Sequence, residues 1–127
     1  LRHTLRIGAI TGVAAANVDG STISSMLKFG KSLGARSRAT TDLRKEFQDV
    51  NIFFIDEISF VGCETLENIS KRLSELKNCA KPFGGMTVIL AGDFHQIQPI
   101  GTTPLYKSGV SCKNLEQASK GYLTYRK

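Results

Sequence analysis

The stretch from Asn51 to Glu57, NIFFIDE, constrains the fold more than any other part of this sequence. Four consecutive apolar residues between an asparagine and two acids are typical of a parallel strand covered by helices on both faces, because such a strand lacks in/out alternation. Asp56 and Glu57 then mark its carboxyl end. In open parallel α/β sheets ligands bind outside this end, so the pair is placed to meet a metal, a phosphate or a water. Taken alone, the stretch also fits a strand that ends in solvated acids.

An amphipathic helix separates this strand from a second one. Apolar residues recur at spacings of three and four, as on the buried side of a helix: Leu66, Ile69, Leu73 and Leu76. We expect the charged residues between them to lie on the surface: Glu64, Glu67, Lys71, Arg72, Glu75 and Lys77. The run Met86–Ala91 then predicts another continuously buried strand, and it too is followed by a carboxylate, in Gly92-Asp93.

The first part of the chain predicts the same arrangement of a strand followed by a helix. Residues Thr4–Ile10 predict a strand that ends at Thr11-Gly12, where Gly12 permits a tight turn into a helix. The free N–H groups at the start of such a helix can hold a phosphate. Ser21 or Thr22 can cap a short helix that runs through Phe29.

The segment Gly30-Lys31-Ser32 ends like a phosphate-binding loop but lacks the rest of the pattern. That pattern needs a glycine five positions earlier and a preceding strand, whereas Ser25 stands there and the preceding stretch predicts a helix. We interpret residues 31–41 as a solvated loop. A short helix over Asp42–Gln48 follows, capped by one of the two preceding threonines.

Composition limits the class of protein. The chain has 127 residues, of which 41% are hydrophobic and 22% charged, as in a globular domain without a disorder signature. No apolar run approaches the roughly 18 residues of a membrane span, and no leader opens the chain, so we expect an intracellular protein without a membrane partner. The three cysteines, Cys63, Cys79 and Cys112, form no CxxC pair and indicate neither a zinc site nor a disulfide framework.

The charge distribution indicates a partner more clearly than the net charge of +6 does. Residues 1–50 hold eight Lys/Arg and four Asp/Glu, residues 51–100 hold four and six, and residues 101–127 hold five and one. A basic chain with an acidic middle is typical of a polyanion binder with a divalent-metal site. Solvated faces explain such an excess equally well.

Two successive β-α-β steps predict neighbouring parallel strands whose carboxyl ends form one rim. That rim would carry polar residues from each strand end: Thr11, Asp56, Glu57, Asp93 and Gln96. Phosphoryl transfer to water requires such a set, with one carboxylate for hydrated magnesium, a second to deprotonate the attacking water and a polar group to sense the terminal phosphate.

Three motifs in order give this chain a family resemblance. They are Thr11–Ala15 (TGVAA), Ile55–Ser59 (IDEIS) and Gly92–Ile100 (GDFHQIQPI). Together they resemble the first RecA-like domain of superfamily 1 DNA helicases of the Pif (petite integration frequency) type, which include the helicases of rolling-circle (Helitron) transposons. Further matches are Gly20–Ile23, Leu43–Phe47, Phe60–Gly62 and Pro82–Gly85. The implied fold is a parallel α/β sheet flanked by helices, a partial RecA-like P-loop NTPase domain spanning residues 1–127.

The resemblance implies a role in ATP hydrolysis for four residues. Asp56 would hold Mg²⁺ through its water shell, and Glu57 would be the catalytic base. Gln96 would sense the γ-phosphate of ATP, and Asp93 would couple that site to bound DNA. Alternatives remain open, because Asp93 also fits a turn cap and Gln96 a polar surface residue.

The resemblance also implies a contact with single-stranded DNA. Thr11 and Gly12 match the motif that grips DNA phosphates in this family, although Thr11 equally fits a plain strand-end hydroxyl. The chain departs from the family pattern at Ile10 and Gln98, where proline is usual, and at Ser24, where histidine is usual. These departures affect the expected DNA contacts more than the expected fold.

The resemblance further implies parts that this sequence does not contain. The phosphate-binding loop (Walker A) and its strand would precede Leu1, and the second RecA-like domain with its arginine finger would follow Lys127. Since an arginine finger is typically worth about 10³ to 10⁵ in rate, we expect the isolated chain to hydrolyse ATP negligibly. We also expect a sheet edge left open by the absent strand, and a fragment prone to aggregate.

Three hypotheses follow. The first is a segment of an ATP-dependent 5′-to-3′ DNA helicase, for which the resemblance implies a nuclear location and roles in DNA repair, recombination and telomere maintenance. The second is a non-catalytic, helicase-derived DNA-binding remnant, as a truncated transposon or pseudogene product would be. The third is another phosphate-handling α/β enzyme that uses Gly30-Lys31-Ser32.

Overall fold

The computed structural model describes residues 3–29, 41–95, 99–102 and 104–105 of the chain. Within these residues the strands form one parallel sheet in the order β2-β1-β3-β4. Their bounds are Leu5–Ala9 for β1, Ser21–Thr22 for β2, Ile52–Asp56 for β3 and Thr87–Leu90 for β4. The predicted α/β fold with a parallel sheet is confirmed. The two-residue strand β2 was not expected from the sequence.

Among the described residues, four α-helices and two 3-10 helices connect these strands. The α-helices are Gly12–Asn17 (α1), Ile23–Met26 (α2), Thr41–Phe47 (α3) and Cys63–Lys77 (α4), and the 3-10 helices are Ile58–Phe60 and Pro82–Gly85. Each predicted helix is confirmed, with α2 shorter than expected. The segment Gly30-Lys31-Ser32 lies outside the described residues. None of the helices in the described part of the chain has the length and apolarity needed to cross a bilayer.

Strand β3 lies at the centre of the described sheet, paired with β1 on one side and with β4 on the other. In this register Phe54 lies beside Ile7 of β1 and Ile89 of β4. Asp56, the last residue of β3, lies beside Ala9, the last residue of β1. Because all these strands are parallel, their carboxyl ends meet at one edge of the sheet.

One face of the sheet carries the main core. Phe53 and Ile55 of β3 are fully buried on this face. They belong to one cluster with the apolar side chains of α3 and α4, which include the predicted periodic residues: Leu43, Phe47, Leu66, Ile69, Leu73 and Leu76. Helix α4 therefore packs against β3 through the stripe that its sequence predicts.

The prediction that β3 and β4 are buried on both faces was wrong for the described part of the chain. Burial alternates along both strands, and Ile89 of β4 is 45% exposed. The opposite face is covered at its carboxyl edge, where Ala14 and Ala15 of α1 pack on Ala9. Elsewhere on that face the side chains of β1 and β3 are apolar and half-buried, and those of β4 are exposed. An unbroken apolar run therefore shows that both faces are apolar but not that both are covered.

The prediction that the charged residues of α4 lie on the surface was also wrong at two positions. Arg72 is 4% exposed and Glu67 is 8% exposed. The guanidinium of Arg72 lies 5.4 Å from the ring centre of Phe29 and 3.3 Å from Oε2 of Glu75. The ring and the carboxylate compensate much of the cost of burying this cation. The buried side of α4 is therefore wider than its apolar stripe.

Lys77, the last residue of α4, ties α4 to the end of α3. Its ammonium donates hydrogen bonds to the carbonyl oxygens of Phe47 at 3.3 Å, Gln48 at 2.9 Å and Val50 at 2.9 Å. The last carbonyls of a helix lack partners within the helix, and a cation there also interacts favourably with the helix dipole. Lys77 thus fixes the point at which the chain leaves α3 and enters β3.

We predict that Lys77→Met lowers the free energy of unfolding by about 2 kcal/mol, since hydrogen bonds to charged groups contribute about 1.5 to 3 kcal/mol. Methionine keeps the length of the apolar stem, so the change isolates the ammonium. Urea unfolding of the 127-residue chain measures the effect. Lys71→Met is the matched control, because the Lys71 ammonium is half-exposed and lies 3.8 Å from Glu67, and an ion pair with a solvated cation is typically worth under about 1 kcal/mol. Equal losses in the two variants would contradict the prediction.

Candidate functional site

Three neighbouring strand ends bring the predicted site residues to one rim. Thr11 follows β1 by two residues, Asp56 ends β3, and Asp93 follows the last residue of β4 by three. Because β1, β3 and β4 are adjacent and parallel, these residues lie at the same edge of the sheet. Adjacent strands lie about 4.8 Å apart, so groups from all three can contact one small ligand. The prediction of a shared rim is confirmed for these three strands. Gln96 lies outside the described residues.

Thr11 is the N-cap of α1. Its backbone is extended and its Oγ1 accepts a hydrogen bond from the amide of Ala14 at 3.2 Å. This contact matches the plain structural role that the sequence left open for Thr11. It uses the oxygen as an acceptor, so the hydroxyl proton remains to be donated to a ligand. The cap is therefore compatible with the predicted DNA contact.

Gly12 does not serve the turn as the sequence suggested. It is the first residue of α1, and it is not among the glycines with a positive φ. A Cβ placed on Gly12 has no described heavy atom within 4 Å. Neither the backbone conformation nor the packing of the described residues thus requires glycine here. The amide of Ala14 is bonded to Thr11, whereas the amides of Gly12 and Val13 have no acceptor within the helix.

Asp56 and Glu57 are half-buried at the end of β3. Among the described residues neither carboxylate has a hydrogen-bond or ion-pair partner, so both remain available to a metal ion or a water. The backbone of Glu57 is left-handed, with φ 56° and ψ 46°. This conformation ends the strand and leads directly into the 3-10 helix Ile58–Phe60.

Asp93 closes a local turn with His95. Its Oδ1 accepts a hydrogen bond from the backbone amide of His95 at 2.8 Å and lies 3.2 Å from the imidazole Nδ1 of the same residue. These hydrogen bonds, chiefly the one from the amide, lower the pKa of the Asp93 carboxyl below its ordinary value. The turn-cap interpretation of Asp93 therefore describes a real contact, and its second carboxylate oxygen is left for another partner. Phe94, which was expected in the core, is half-buried and packs against the main core cluster.

Sequence reasoning missed the role of Gly92. The exit of β4 passes directly over the turn that follows the two acids, and a Cβ on Gly92 would lie 2.7 Å from the backbone nitrogen of Ile58. The amide of Ile58 donates a hydrogen bond to the carbonyl of Ala91 at 2.9 Å. The available signal was a glycine directly after the predicted strand Met86–Ala91, since glycine beside a strand often marks a close approach of two backbones.

A second close approach fixes the start of α4. Gly62 forms an antiparallel bridge with Pro104, and Thr102 occupies the space that a side chain on Gly62 would need. The buried thiol of Cys63 donates a weak hydrogen bond to the carbonyl oxygen of Pro104, at 3.5 Å. Cys63 and Cys79 are free thiols, as expected, whereas Cys112 lies outside the described residues.

A comparison with protein families places this arrangement among helicases. The model of the family described as "PIF1-like helicase" matches residues 2–119 of the chain. Among curated proteins, the chain is 33% identical over 100 residues to the ATP-dependent DNA helicase Pif1 of Psychrobacter sp.. This alignment covers 74% of this chain and 15% of that protein. It is 36% identical over 110 residues to the ATP-dependent DNA helicase PIF5 of Trypanosoma brucei brucei, covering 79% of the chain and 12% of the relative.

Solved structures of similar sequence have the same fold over most of this chain. Unliganded Pif1 from Bacteroides sp. superimposes with a TM-score of 0.67 at 30% identity, over 76% of this chain and 24% of that one. Pif1 helicase from Bacteroides in complex with ADP-AlF3 and ssDNA gives a TM-score of 0.69 at 28% identity, again over 76% and 24%. The chain thus spans about a quarter of the solved helicases that it resembles and about one seventh of the curated ones.

We predict that the Asp93 carboxyl titrates at a lower pH than an aspartate in an unstructured peptide. Because its pKa is depressed in the folded chain, its contribution to stability is present above the unfolded pKa and is lost as the pH falls through the folded value. The side-chain carboxyl carbon of Asp93, followed by NMR in the 127-residue chain, gives the midpoint directly.

The variant His95→Ala removes the imidazole but keeps the backbone amide. Because the amide is the largest cause of the shift, the midpoint should move only part of the way back. A complete return to the peptide value would show that the imidazole, and not the amide, controls this carboxyl.

Proposed function

Because the chain belongs to the PIF1-like helicase family, we propose that it is the part of an ATP-dependent DNA helicase that supplies the metal-holding acid, the catalytic base and one DNA-phosphate contact. The single observation that carries this proposal is the shared rim. There Thr11, the pair Asp56-Glu57 and Asp93 follow three adjacent parallel strands. The 5′-to-3′ direction of unwinding belongs to the same proposal and is supported by family membership alone.

Asp56 and Glu57 divide the chemistry of ATP hydrolysis between them. Asp56 would hold Mg²⁺ through the water shell of the ion, and Glu57 would accept a proton from the attacking water. The donor set fits this ion, because Mg²⁺ usually keeps several waters and takes one or two carboxylates together with substrate phosphates. The described residues contain no cluster of three or more metal-ligating side chains, so water and nucleotide would complete the shell. Mg²⁺ held there would neutralise the charge that develops on the phosphates during hydrolysis.

Further parts of the catalytic machinery belong to the proposal without being among the described residues. Gln96, three residues beyond Asp93, is proposed to sense the γ-phosphate. The phosphate cradle and the arginine finger are proposed to come from sequence outside these 127 residues, since the chain spans 15% of the Psychrobacter relative. On this basis the 127-residue chain is expected to hydrolyse ATP negligibly by itself.

Thr11 and Gly12 form the proposed contact with single-stranded DNA. The Thr11 hydroxyl has a proton to donate, the amides of Gly12 and Val13 have no acceptor within the helix, and a Cβ on Gly12 would meet no described heavy atom within 4 Å. A phosphate oxygen accepts hydrogen bonds from such groups without regard to base sequence. The solved relative that was crystallised with ADP-AlF3 and ssDNA supports the pairing of these two ligands in one fold.

We predict that Glu57→Gln lowers kcat for ATP hydrolysis by about 10² to 10⁴, the usual contribution of a general base. Asp56→Asn should also slow hydrolysis and raise the Mg²⁺ concentration that gives half the maximal rate. Both are measured in a helicase chain that joins these residues to a phosphate loop and a second motor domain. Asp49→Asn, at an exposed position in the turn after α3, is the matched control. Unchanged hydrolysis in the Asp56 and Glu57 variants would favour the non-catalytic DNA-binding remnant instead.

We predict that Gly12→Ala weakens binding of single-stranded DNA without lowering stability. Alanine is a better helix former than glycine and meets no described atom at this position, so the urea midpoint should stay or rise. The added methyl group would occupy the space proposed for the phosphate. Fluorescence anisotropy with a labelled oligonucleotide measures the affinity, and unchanged affinity would remove Gly12 from the DNA contact.

A further inference from the structure

The backbone of Glu57 adopts a conformation that glutamate rarely accepts. Its left-handed φ of 56° brings Cβ close to the following carbonyl oxygen, and glycine would avoid this cost. In a continued strand, neighbouring side chains would point to opposite faces, so Asp56 and Glu57 would be separated across the sheet. The left-handed residue breaks that alternation at the second acid. Contacts with the surrounding structure must hold Glu57 in this conformation.

Two hydrogen bonds to a single residue bracket the acids. The amide of Ala91 donates to the carbonyl of Ile55 at 2.9 Å, and the carbonyl of Ala91 accepts from the amide of Ile58 at 2.9 Å. Asp56 and Glu57 are therefore the two residues of a loop whose ends are both attached to Ala91. The side chain of Ile58 is 2% exposed and belongs to the main core, which anchors the far end of this loop.

Gly92, the residue after Ala91, lies in close contact with the same loop. A Cβ on Gly92 would lie 2.7 Å from the backbone nitrogen of Ile58, 3.1 Å from its Cγ2 and 3.3 Å from the carbonyl carbon of Glu57. The φ of Gly92 is 149°, which also disfavours any residue with a side chain. Since Ile58 is fixed in the core, neither backbone can move aside freely.

We propose that Gly92 is a positioning residue for Glu57. Its bare Cα lets the exit of β4 lie against the Glu57–Ile58 peptide, and this contact, with the two hydrogen bonds to Ala91, holds the left-handed turn that sets the direction of the Glu57 carboxylate. The catalytic consequence rests on the proposed function, in which Glu57 is the base. The geometric part does not, because it concerns the folded chain alone.

Hydrogen exchange of the Ile58 amide in the 127-residue chain tests the geometric part. In Gly92→Ala the added methyl group separates the two backbones, and exchange of this amide should become at least tenfold faster relative to the amides of Ile69 and Leu73 in α4, which report on general unfolding. Gly85→Ala is the matched control, because Gly85 also has a positive φ of 74° but has room for a Cβ, with Cys79 Sγ at 3.7 Å. Unchanged exchange of Ile58 in Gly92→Ala overturns the proposal.

A second variant keeps the test decisive if Gly92→Ala does not fold. A glycine in place of Glu57 tolerates a displaced turn. Glu57→Gly should therefore restore folding to Gly92→Ala, or raise its urea midpoint by more than the same substitution changes the midpoint of the otherwise unsubstituted chain. Lys28→Gly, at another left-handed residue with φ 52°, controls for relief of backbone strain alone. Equal effects of Glu57→Gly with and without Gly92→Ala overturn the proposal.

Kinetics test the catalytic part in a helicase chain that contains these residues. Gly92→Ala should lower kcat at least tenfold while the KM for ATP stays within twofold, and it should cause little further loss in the Glu57→Gln background, since it acts through Glu57. A full additional loss in that background overturns the positioning role. If Glu57→Gln itself leaves kcat unchanged, the assignment of the base falls and the catalytic consequence of Gly92 falls with it, while the geometric part still depends on the exchange of the Ile58 amide. Unchanged Ile58 exchange overturns the positioning role alone.

Discussion

The parallel pairing of β3 with β1 on one side and β4 on the other is the constraint on which the rest of this structure depends. Parallel strands share one direction, so their carboxyl ends must meet at a single edge. Every polar group of the candidate site reaches that edge through this pairing and not through proximity in the chain. The register also fixes which side chains face α4, because a slip of one residue would exchange the buried Phe53 and Ile55 for their neighbours.

Several backbone positions at the site are strained or crowded, although left-handed residues also occur elsewhere, as at Asn78 and Phe83. Glu57 is left-handed, Gly92 lies within contact distance of a neighbouring peptide, and Asp93 is held in a turn by its own side chain. Away from the rim the same chain relies on ordinary devices, such as the apolar stripe of α4 and the ammonium of Lys77 on the end of α3. A rigid core thus supports an edge whose backbone conformations cost free energy, as is common at functional sites.

Sequence patterns predicted those features that depend on local chemistry. The spacing of apolar residues gave α4 and its core face, the apolar runs gave β1, β3 and β4, and the acids after two of these runs gave the rim. The same reasoning was wrong about Arg72, because a charged side chain was assumed to need water, whereas Phe29 and Glu75 supply its partners. It was also wrong about the burial of β3 on both faces, because the hydrophobicity of a strand does not show whether a helix covers each of its faces.

Residue types and spacing by themselves determined the parallel α/β class, the order of the helices and of the three longer strands, and the identity of the acids at the strand ends. The tertiary structure decided what surrounds those acids: the left-handed turn at Glu57, the two hydrogen bonds to Ala91 and the passage of Gly92 across the Glu57–Ile58 peptide. The physical reason is the distance along the chain. Periodicity reports on residues a few positions apart, whereas this contact joins backbones more than thirty residues apart that meet only once the sheet has formed.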